Sequence, residues 1–167
     1  MTTHDRNLDI EDVLIGRIRD LNSPITSQPT DTKEQLTPLP GVRAVLFDIY
    51  GTLFISGSGD ISIASAMSNG QALSEALACA GFTGRIEEAG IKGCEMLLHA
   101  IQATHETRRK DGIMFPEVDI REEWSHVLMA LQENNLLEGN VSYEEAQRVS
   151  VEYEFRVNPV WPMQDVQ

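Results

Sequence analysis

The sequence predicts an α/β protein in which this chain is mostly α-helical and contributes one core strand. Five stretches place apolar residues at the i, i+3, i+4 spacing of an amphipathic helix. One run, residues 44–47, is apolar without alternation, which is typical of a parallel strand covered on both faces. The chain has 167 residues, of which 41% are hydrophobic and 23% charged, so it has the size and composition of one ordinary folded domain.

Residues 1–41 are expected to form a helix followed by a linker. Asp9 precedes an apolar stripe at helical spacing and is in position to cap that helix. The stripe consists of Ile10, Val13, Leu14, Ile18 and Leu21. Residues 22–41 then contain four of the seven prolines among Ser, Thr and Gln, a composition that extends the chain without burying it.

Residues 42–55 are expected to form a strand followed by a loop that holds the candidate catalytic residues. The strand, residues 42–47, ends at Asp48, and ligands of parallel sheets bind at the carboxyl ends of strands. Gly51 permits a tight backbone turn, and the hydroxyl of Thr52 can hydrogen-bond the Asp48 carboxylate or a substrate oxygen. The sequence therefore singles out Asp48 as a candidate catalytic residue.

Residues 56–157 are expected to form a four-helix domain, and residues 158–167 a segment leaving it. The helices are predicted at 71–80, 85–110, after Asp119 and after Ser142, the last ending before Pro159. Gly81 is expected as a left-handed cap, and Asp119 with Glu122 and Ser142 with Glu145 as capping boxes. The expected apolar stripes are Leu73, Ala76, Leu77 and Ala80; Ile86, Ala89, Cys94, Leu97, Leu98 and Ile101; Trp124, Val127, Leu128 and Leu131; and Ala146, Val149 and Tyr153. Arg108, Arg109 and Lys110 complement the dipole of the long helix and need no ligand to explain them.

Charge and cysteine content narrow the classes of partner. Thirteen basic against 26 acidic residues give a net charge of −13, which disfavours binding to nucleic acid or to anionic lipid. No stretch is long and apolar enough to enter a membrane or to act as a signal peptide. Cys79 and Cys94 match neither a disulfide framework nor a zinc site, which points to the cytoplasm. His99, His105 and His126 lack the spacing of a metal-binding motif.

The stretch around Asp48 resembles the first signature of the haloacid dehalogenase (HAD) superfamily of hydrolases. That signature is an apolar strand followed by Asp, any residue, Asp or Tyr, Gly, Thr, and Leu or Val. The matching residues are Asp48, Ile49, Tyr50, Gly51, Thr52 and Leu53. The resemblance implies a Rossmann-type core in the complete protein, with a helical cap domain inserted after the signature.

The resemblance also implies roles for individual residues. Asp48 corresponds to the nucleophile, which forms a covalent aspartyl intermediate on a small phosphorylated or halogenated substrate. Thr52 would assist it, and Tyr50 and Gly51 would contact substrate. Family phosphatases usually carry a second Asp where this chain has Tyr50, whereas the dehalogenases have Tyr because a departing halide needs no proton. Mg²⁺, if it is used, would bind the Asp48 carboxylate and the main-chain carbonyl of Tyr50, whereas a dehalogenase-like enzyme would need no cofactor.

The family pattern is incomplete in this sequence. The later signatures, a Ser or Thr, a Lys or Arg and an acidic pair, are not present, so we expect the N-terminal portion of a longer enzyme that is inactive as given. The dehalogenases also use an Arg early in the cap domain to hold the substrate carboxylate, and residues 54–84 contain no Arg or Lys. The alternative is a noncatalytic helical interaction domain or the remnant of a decayed enzyme. The oligomeric state is left open.

The lone strand generates a prediction about order within the chain. Residues 44–47 carry apolar side chains and unpaired backbone groups, yet no second strand is predicted to pair with them. Amide hydrogen exchange should therefore be fast at residues 44–47 and slow in the helices between 71 and 157. Strong protection of 44–47 in a verified monomer would contradict this expectation.

Overall fold

A computed structural model describes residues 3–27, 32–33, 35, 37–57, 66–164 and 166, with side chains described from Ile10 and, in the second helix, from Asn69. These residues form five helices and two small two-stranded antiparallel sheets. The helices are α1 Thr3–Leu21, α2 Ala66–Cys79, α3 Ile86–Lys110, α4 Ile120–Glu133 and α5 Tyr143–Val157. The strands are β1 Phe54–Ser56, β2 Thr83–Gly84, β3 Leu137–Glu138 and β4 Val160–Pro162. The chain is therefore mostly α-helical, as the sequence predicts.

Helices α2 to α5, called the helical domain below, bury a single apolar core. The fully buried large side chains are Leu73, Leu77, Trp124, Leu128, Leu131, Leu136 and Val149. Most of them belong to the stripes expected from sequence, because residues at i, i+3, i+4 and i+7 share one face of a helix. One residue expected in the α3 stripe, Leu98, is exposed instead. It is 55% exposed because it lies about 100° around α3 from the buried Leu97.

The expected helix ends are confirmed at Ser142 and Gly81, whereas the Asp119 side chain does not accept the Glu122 amide as expected and α2 begins at Ala66 rather than at residue 71. The Ser142 hydroxyl accepts the Glu145 amide at 3.2 Å, and Gly81 adopts φ +88° directly after α2. The Asp119 carboxylate caps α4 through the Arg121 amide at 3.0 Å and also binds the Arg121 guanidinium. These hydrogen bonds with Arg121 lower the pKa of Asp119 to about 2, although burial opposes the shift.

The strand expected at residues 42–47 is not formed. Residues 42–48 lie outside the strands and are exposed, and Leu46 is 97% exposed. Pairing occurs at sites the sequence did not indicate: β1 with β4, and β2 with β3. The β2–β3 pair brings the buried Phe82, Leu136 and Leu137 into the core, which the helical patterns missed. An extended segment needs a hydrogen-bonding neighbour, and the described residues supply none beside 42–47.

Helix α1 packs against α5 and starts earlier than expected. Asp9 lies within the helix rather than at its N-cap. Ile10 is buried, and the guanidinium of Arg17 binds both carboxylate oxygens of Glu152 on α5. The described residues of the expected linker, 22–27, 32, 33, 35 and 37–41, form neither helix nor strand.

Glu152 is the buried charge on which this docking depends. It accepts from Arg17 on α1 and from Arg156 one turn further along α5. Arg156 also reaches Glu75 on α2, with 3.4 Å between Nε and Oε2. Burial opposes ionisation of Glu152, but its hydrogen bonds with the two guanidiniums outweigh burial and hold the pKa of Glu152 below its usual 4.5.

The Glu152 ion pairs predict an acid-sensitive attachment of α1. Because the pKa of Glu152 is lower in the folded than in the unfolded chain, its stabilisation is present above pH 4.5 and is lost as the pH falls through the folded pKa. Arg17→Ala should lower the free energy of unfolding by about 1 kcal/mol at neutral pH and flatten its decline in acid. Urea unfolding between pH 7 and pH 3 measures both effects. Arg19→Ala, an exposed arginine on the same helix, is the control, and an equal loss in both variants would contradict the assignment.

Candidate active site

The backbone after Asp48 forms a tight turn. The carbonyl oxygen of Ile49 accepts the amides of Thr52, Leu53 and Phe54 at 3.4, 2.8 and 2.9 Å, and the amide of Gly51 donates to the carbonyl of Phe54 at 2.7 Å. Gly51 has φ +79°, a conformation that residues with a Cβ rarely adopt. The turn thus gives a physical reason for glycine at this position of the motif.

The side chains named from sequence lie together on this turn and face solvent. Asp48, Tyr50, Gly51 and Thr52 are all exposed, and Tyr50 is 58% exposed. Among the described residues, no hydrogen bond joins Thr52 to Asp48 and no cation contacts the Asp48 carboxylate. The catalytic and substrate-binding roles of these four residues therefore stay predictions.

The residues named for Mg²⁺ provide only part of a magnesium shell. The Asp48 carboxylate and the Tyr50 carbonyl offer two kinds of oxygen ligand, whereas Mg²⁺ requires six oxygens in octahedral geometry. Over the part of the chain that the structure describes, no three His, Cys, Asp or Glu residues are grouped so that they could hold a metal ion. These residues alone do not fit the ion, and no step of the chemistry below depends on it.

The turn leads directly into the pairing of β1 with β4, which we call the β1–β4 junction. Ile55 lies opposite Trp161, and the amide of Met163 donates to the carbonyl of Leu53 at 2.9 Å. The Ser56 hydroxyl donates to the side-chain carbonyl of the buried Asn158 at 2.6 Å. The segments that precede and follow the helical domain in sequence therefore pair with each other, immediately after the candidate motif.

Gly57 permits the closest approach within this junction. Its amide donates to the carbonyl of Pro159 at 2.7 Å, and a Cβ at position 57 would lie 2.7 Å from the Pro159 ring. The sequence suggests a flexible hinge at Gly57, Ser58 and Gly59, but Ser58 and Gly59 lie outside the described residues. Pro159 lies about a hundred residues after Gly57 in the sequence, so no local sequence pattern could have predicted their contact.

Two other groups with shifted pKa values lie inside the helical domain. The Cys94 thiol lies 3.7 Å from the Tyr153 hydroxyl, and the Tyr153 ring packs edge-on against Trp124 with centroids 5.2 Å apart. Burial raises the pKa of both Cys94 and Tyr153, which keeps both groups neutral and unreactive at pH 7. These groups are part of the core rather than of the candidate site.

Comparison with protein-family models, with curated proteins and with solved structures finds no match to this chain. Among the described helices, none combines the length and the apolar character needed to cross a bilayer.

The close approach at Gly57 predicts a position that tolerates no side chain. Gly57→Ala should displace Pro159, weaken the junction and cost about 1 to 3 kcal/mol of stability. Hydrogen exchange at the Gly57 position and at Met163 should then accelerate more than exchange in α4. Gly16→Ala is the control, because nothing lies within 4 Å of a Cβ there and alanine favours a helix. Unchanged exchange at Met163 in the Gly57 variant would show that the contact is dispensable.

Proposed function

We propose that this chain carries the nucleophile and the helical cap domain of a cytoplasmic HAD-like hydrolase that acts on a small halogenated or phosphorylated substrate. Asp48 is the nucleophile and Thr52 assists it. Tyr50 and the backbone at Gly51 contact the substrate. The proposal rests on the motif from Asp48 to Leu53 and on the geometry that follows it.

The β1–β4 junction is the observation that carries this proposal. A domain inserted into a loop of another domain must receive and return the chain at neighbouring points. Here β1 begins one residue after Leu53, and β4 pairs with it in antiparallel register. The helical domain also buries its own core. This arrangement supports an inserted cap domain directly after the nucleophile loop.

Tyr50 favours carbon–halogen cleavage over phosphate transfer. In that reaction, an Asp48 carboxylate oxygen attacks the carbon that carries the halogen, a C–O ester bond forms, and the halide leaves with the bonding electron pair. Water then attacks the ester carbon of Asp48, which releases the alcohol and restores the carboxylate. No proton is needed by the leaving halide, so a second acid at position 50 is unnecessary.

A noncatalytic helical interaction domain is the second candidate. It is favoured by the exposure of Asp48, which has no described cation beside it, and by the self-contained core of the helical domain. The two candidates differ in their requirement for further sequence. The enzyme needs a Lys or Arg and an acidic pair from elsewhere in the protein, whereas the interaction domain needs neither.

We expect the 167-residue chain by itself to show no turnover above an Asp48→Asn control. A nucleophile without its charge-stabilising partners lacks most of the electrostatic stabilisation of the transition state. Halide release from 2-chloropropionate and phosphate release from p-nitrophenyl phosphate measure this directly. Activity above the control would show that the 167-residue chain suffices for turnover.

In a longer protein that also carries the core that the proposal requires, Asp48→Asn should abolish turnover with the fold intact, and Thr52→Ala should have a milder effect. Single turnover of 2-chloropropionate in heavy-oxygen water should place the label on the peptide containing Asp48. Turnover without label in Asp48 would rule out the ester mechanism.

A further inference from the structure

The end of α3 and the loop after it combine exposed apolar side chains with unpaired cations. Residues 108–115 are all exposed and are called the α3 tip below. Met114 and Phe115 are 77% and 88% exposed, and Ile113 beside them is also exposed. The other described basic side chains of the helical domain each lie within 4.0 Å of a carboxylate, whereas those of the α3 tip have no acidic partner among the described residues; the paired ones are Arg85, Lys92, Arg121, Arg148 and Arg156.

The backbone of the α3 tip is held at both ends. The amide of Gly112 donates to the carbonyl of Arg109 at 3.0 Å, and the amide of Ile113 donates to the carbonyl of Arg108 at 3.1 Å. With Gly112 at φ +88°, these are the two hydrogen bonds of a Schellman motif. Pro116, which follows the tip, is buried. The apolar side chains are therefore exposed in an ordered loop, and adjacent exposed apolar residues are typical of an interaction surface.

A second exposed apolar surface lies around the candidate motif. Residues 45–50, called the 45–50 segment below, contain five large apolar or aromatic side chains that are all more than half exposed; they are Val45, Leu46, Phe47, Ile49 and Tyr50. The remaining residue of the segment, Asp48, is acidic and contacts no cation among the described residues. The two surfaces thus share apolar character and carry opposite charge.

We propose that the α3 tip of one copy of this chain docks on the 45–50 segment of a second copy. This contact brings the cations of the tip to Asp48 and covers both sets of apolar side chains. Pairing tip with tip would oppose cations to cations, and pairing segment with segment would oppose Asp48 to Asp48. Because the two surfaces differ, the contact is heterologous, and each copy keeps one free surface of each kind for a further copy.

The net charge of −13 does not prevent this contact. Charges separated by more than about 8 Å are largely screened at physiological ionic strength, so the charges at the contact itself decide its sign. The α3 tip has three basic side chains and one acidic side chain, Asp111. The proposal uses the charge of Asp48 but not its reactivity, so it does not rest on the proposed function.

A symmetric pairing of residues 43–48 as strands is the main competing arrangement. It would place Arg43 near the Asp48 of the second copy only if both side chains lay on the same face. In a two-fold symmetric antiparallel pair, however, odd-numbered and even-numbered residues lie on opposite faces of the sheet. Charge complementarity therefore favours the heterologous contact.

The first test is sedimentation of the 167-residue chain between 10 µM and 1 mM. We expect concentration-dependent association with a Kd on the order of 100 µM. Phe115→Ser and Leu46→Ser should each weaken it about tenfold or more, because large apolar side chains at the centre of a small interface dominate its energy. Asp48→Asn should weaken it about threefold. Leu98→Ser is the control, since Leu98 is 55% exposed but lies in neither surface, and it should change the Kd by less than about twofold.

The second test mixes the two defective variants. Phe115→Ser retains an intact 45–50 segment, and Leu46→Ser retains an intact α3 tip. An equimolar mixture should therefore form one-to-one pairs, although each variant alone stays monomeric over the same range. The pairs should not grow further, because each of the surfaces left free carries a substitution. Unchanged thermal unfolding verifies that both variants are folded.

The contrary outcomes are equally definite. A wild-type chain that stays monomeric up to 1 mM would overturn the proposal, as would association that neither Phe115→Ser nor Leu46→Ser weakens. A mixture that stays monomeric would show that like surfaces pair with each other and would overturn the heterologous contact. If the monomeric chain instead bound vesicles of phosphatidylcholine and phosphatidylserine and Phe115→Ser abolished that binding, the α3 tip would be a lipid-binding loop and the proposal would be wrong.

Discussion

Backbone hydrogen bonding determines which parts of this chain acquire regular structure. A helix satisfies most of its amide and carbonyl groups internally, whereas an extended segment needs a neighbour for each group. Residues of β1 find that neighbour in β4, while the described residues provide none for 42–48. The β1–β4 junction therefore pairs the segments on either side of the helical domain. Asp48, the candidate nucleophile, lies a few residues before this junction and outside the buried core.

The features that could be predicted from sequence are the local ones. Asp119 and Ser142 cap the starts of α4 and α5, and Gly81 follows the end of α2, through hydrogen bonds or a dihedral angle set within a few residues. The stripe from Trp124 to Leu131 is buried because helical geometry places those side chains on one face. The turn at Gly51 belongs to the same class, since a short motif determines its backbone. In each case, residues within about seven positions of each other determine the local structure.

The features that could not be predicted depend on residues far apart. Arg17 and Glu152 are separated by 135 positions, and Ser56 and Asn158 by 102. Periodicity marked residues 44–47 as a buried strand, but burial requires a partner strand that periodicity does not supply.

Charge constrains the proposed chemistry. An ionised Asp48 that attacks an organic acid brings two negative groups together, and like charges about 4 Å apart repel by about 4 kcal/mol at an effective dielectric constant near 20. A chain with a net charge of −13 adds to that repulsion. The proposed chemistry therefore requires a cation on the substrate carboxylate as well as one on the departing group. Asp48 is exposed on its turn, so under the proposed function other residues of the protein would have to bring both cations to it.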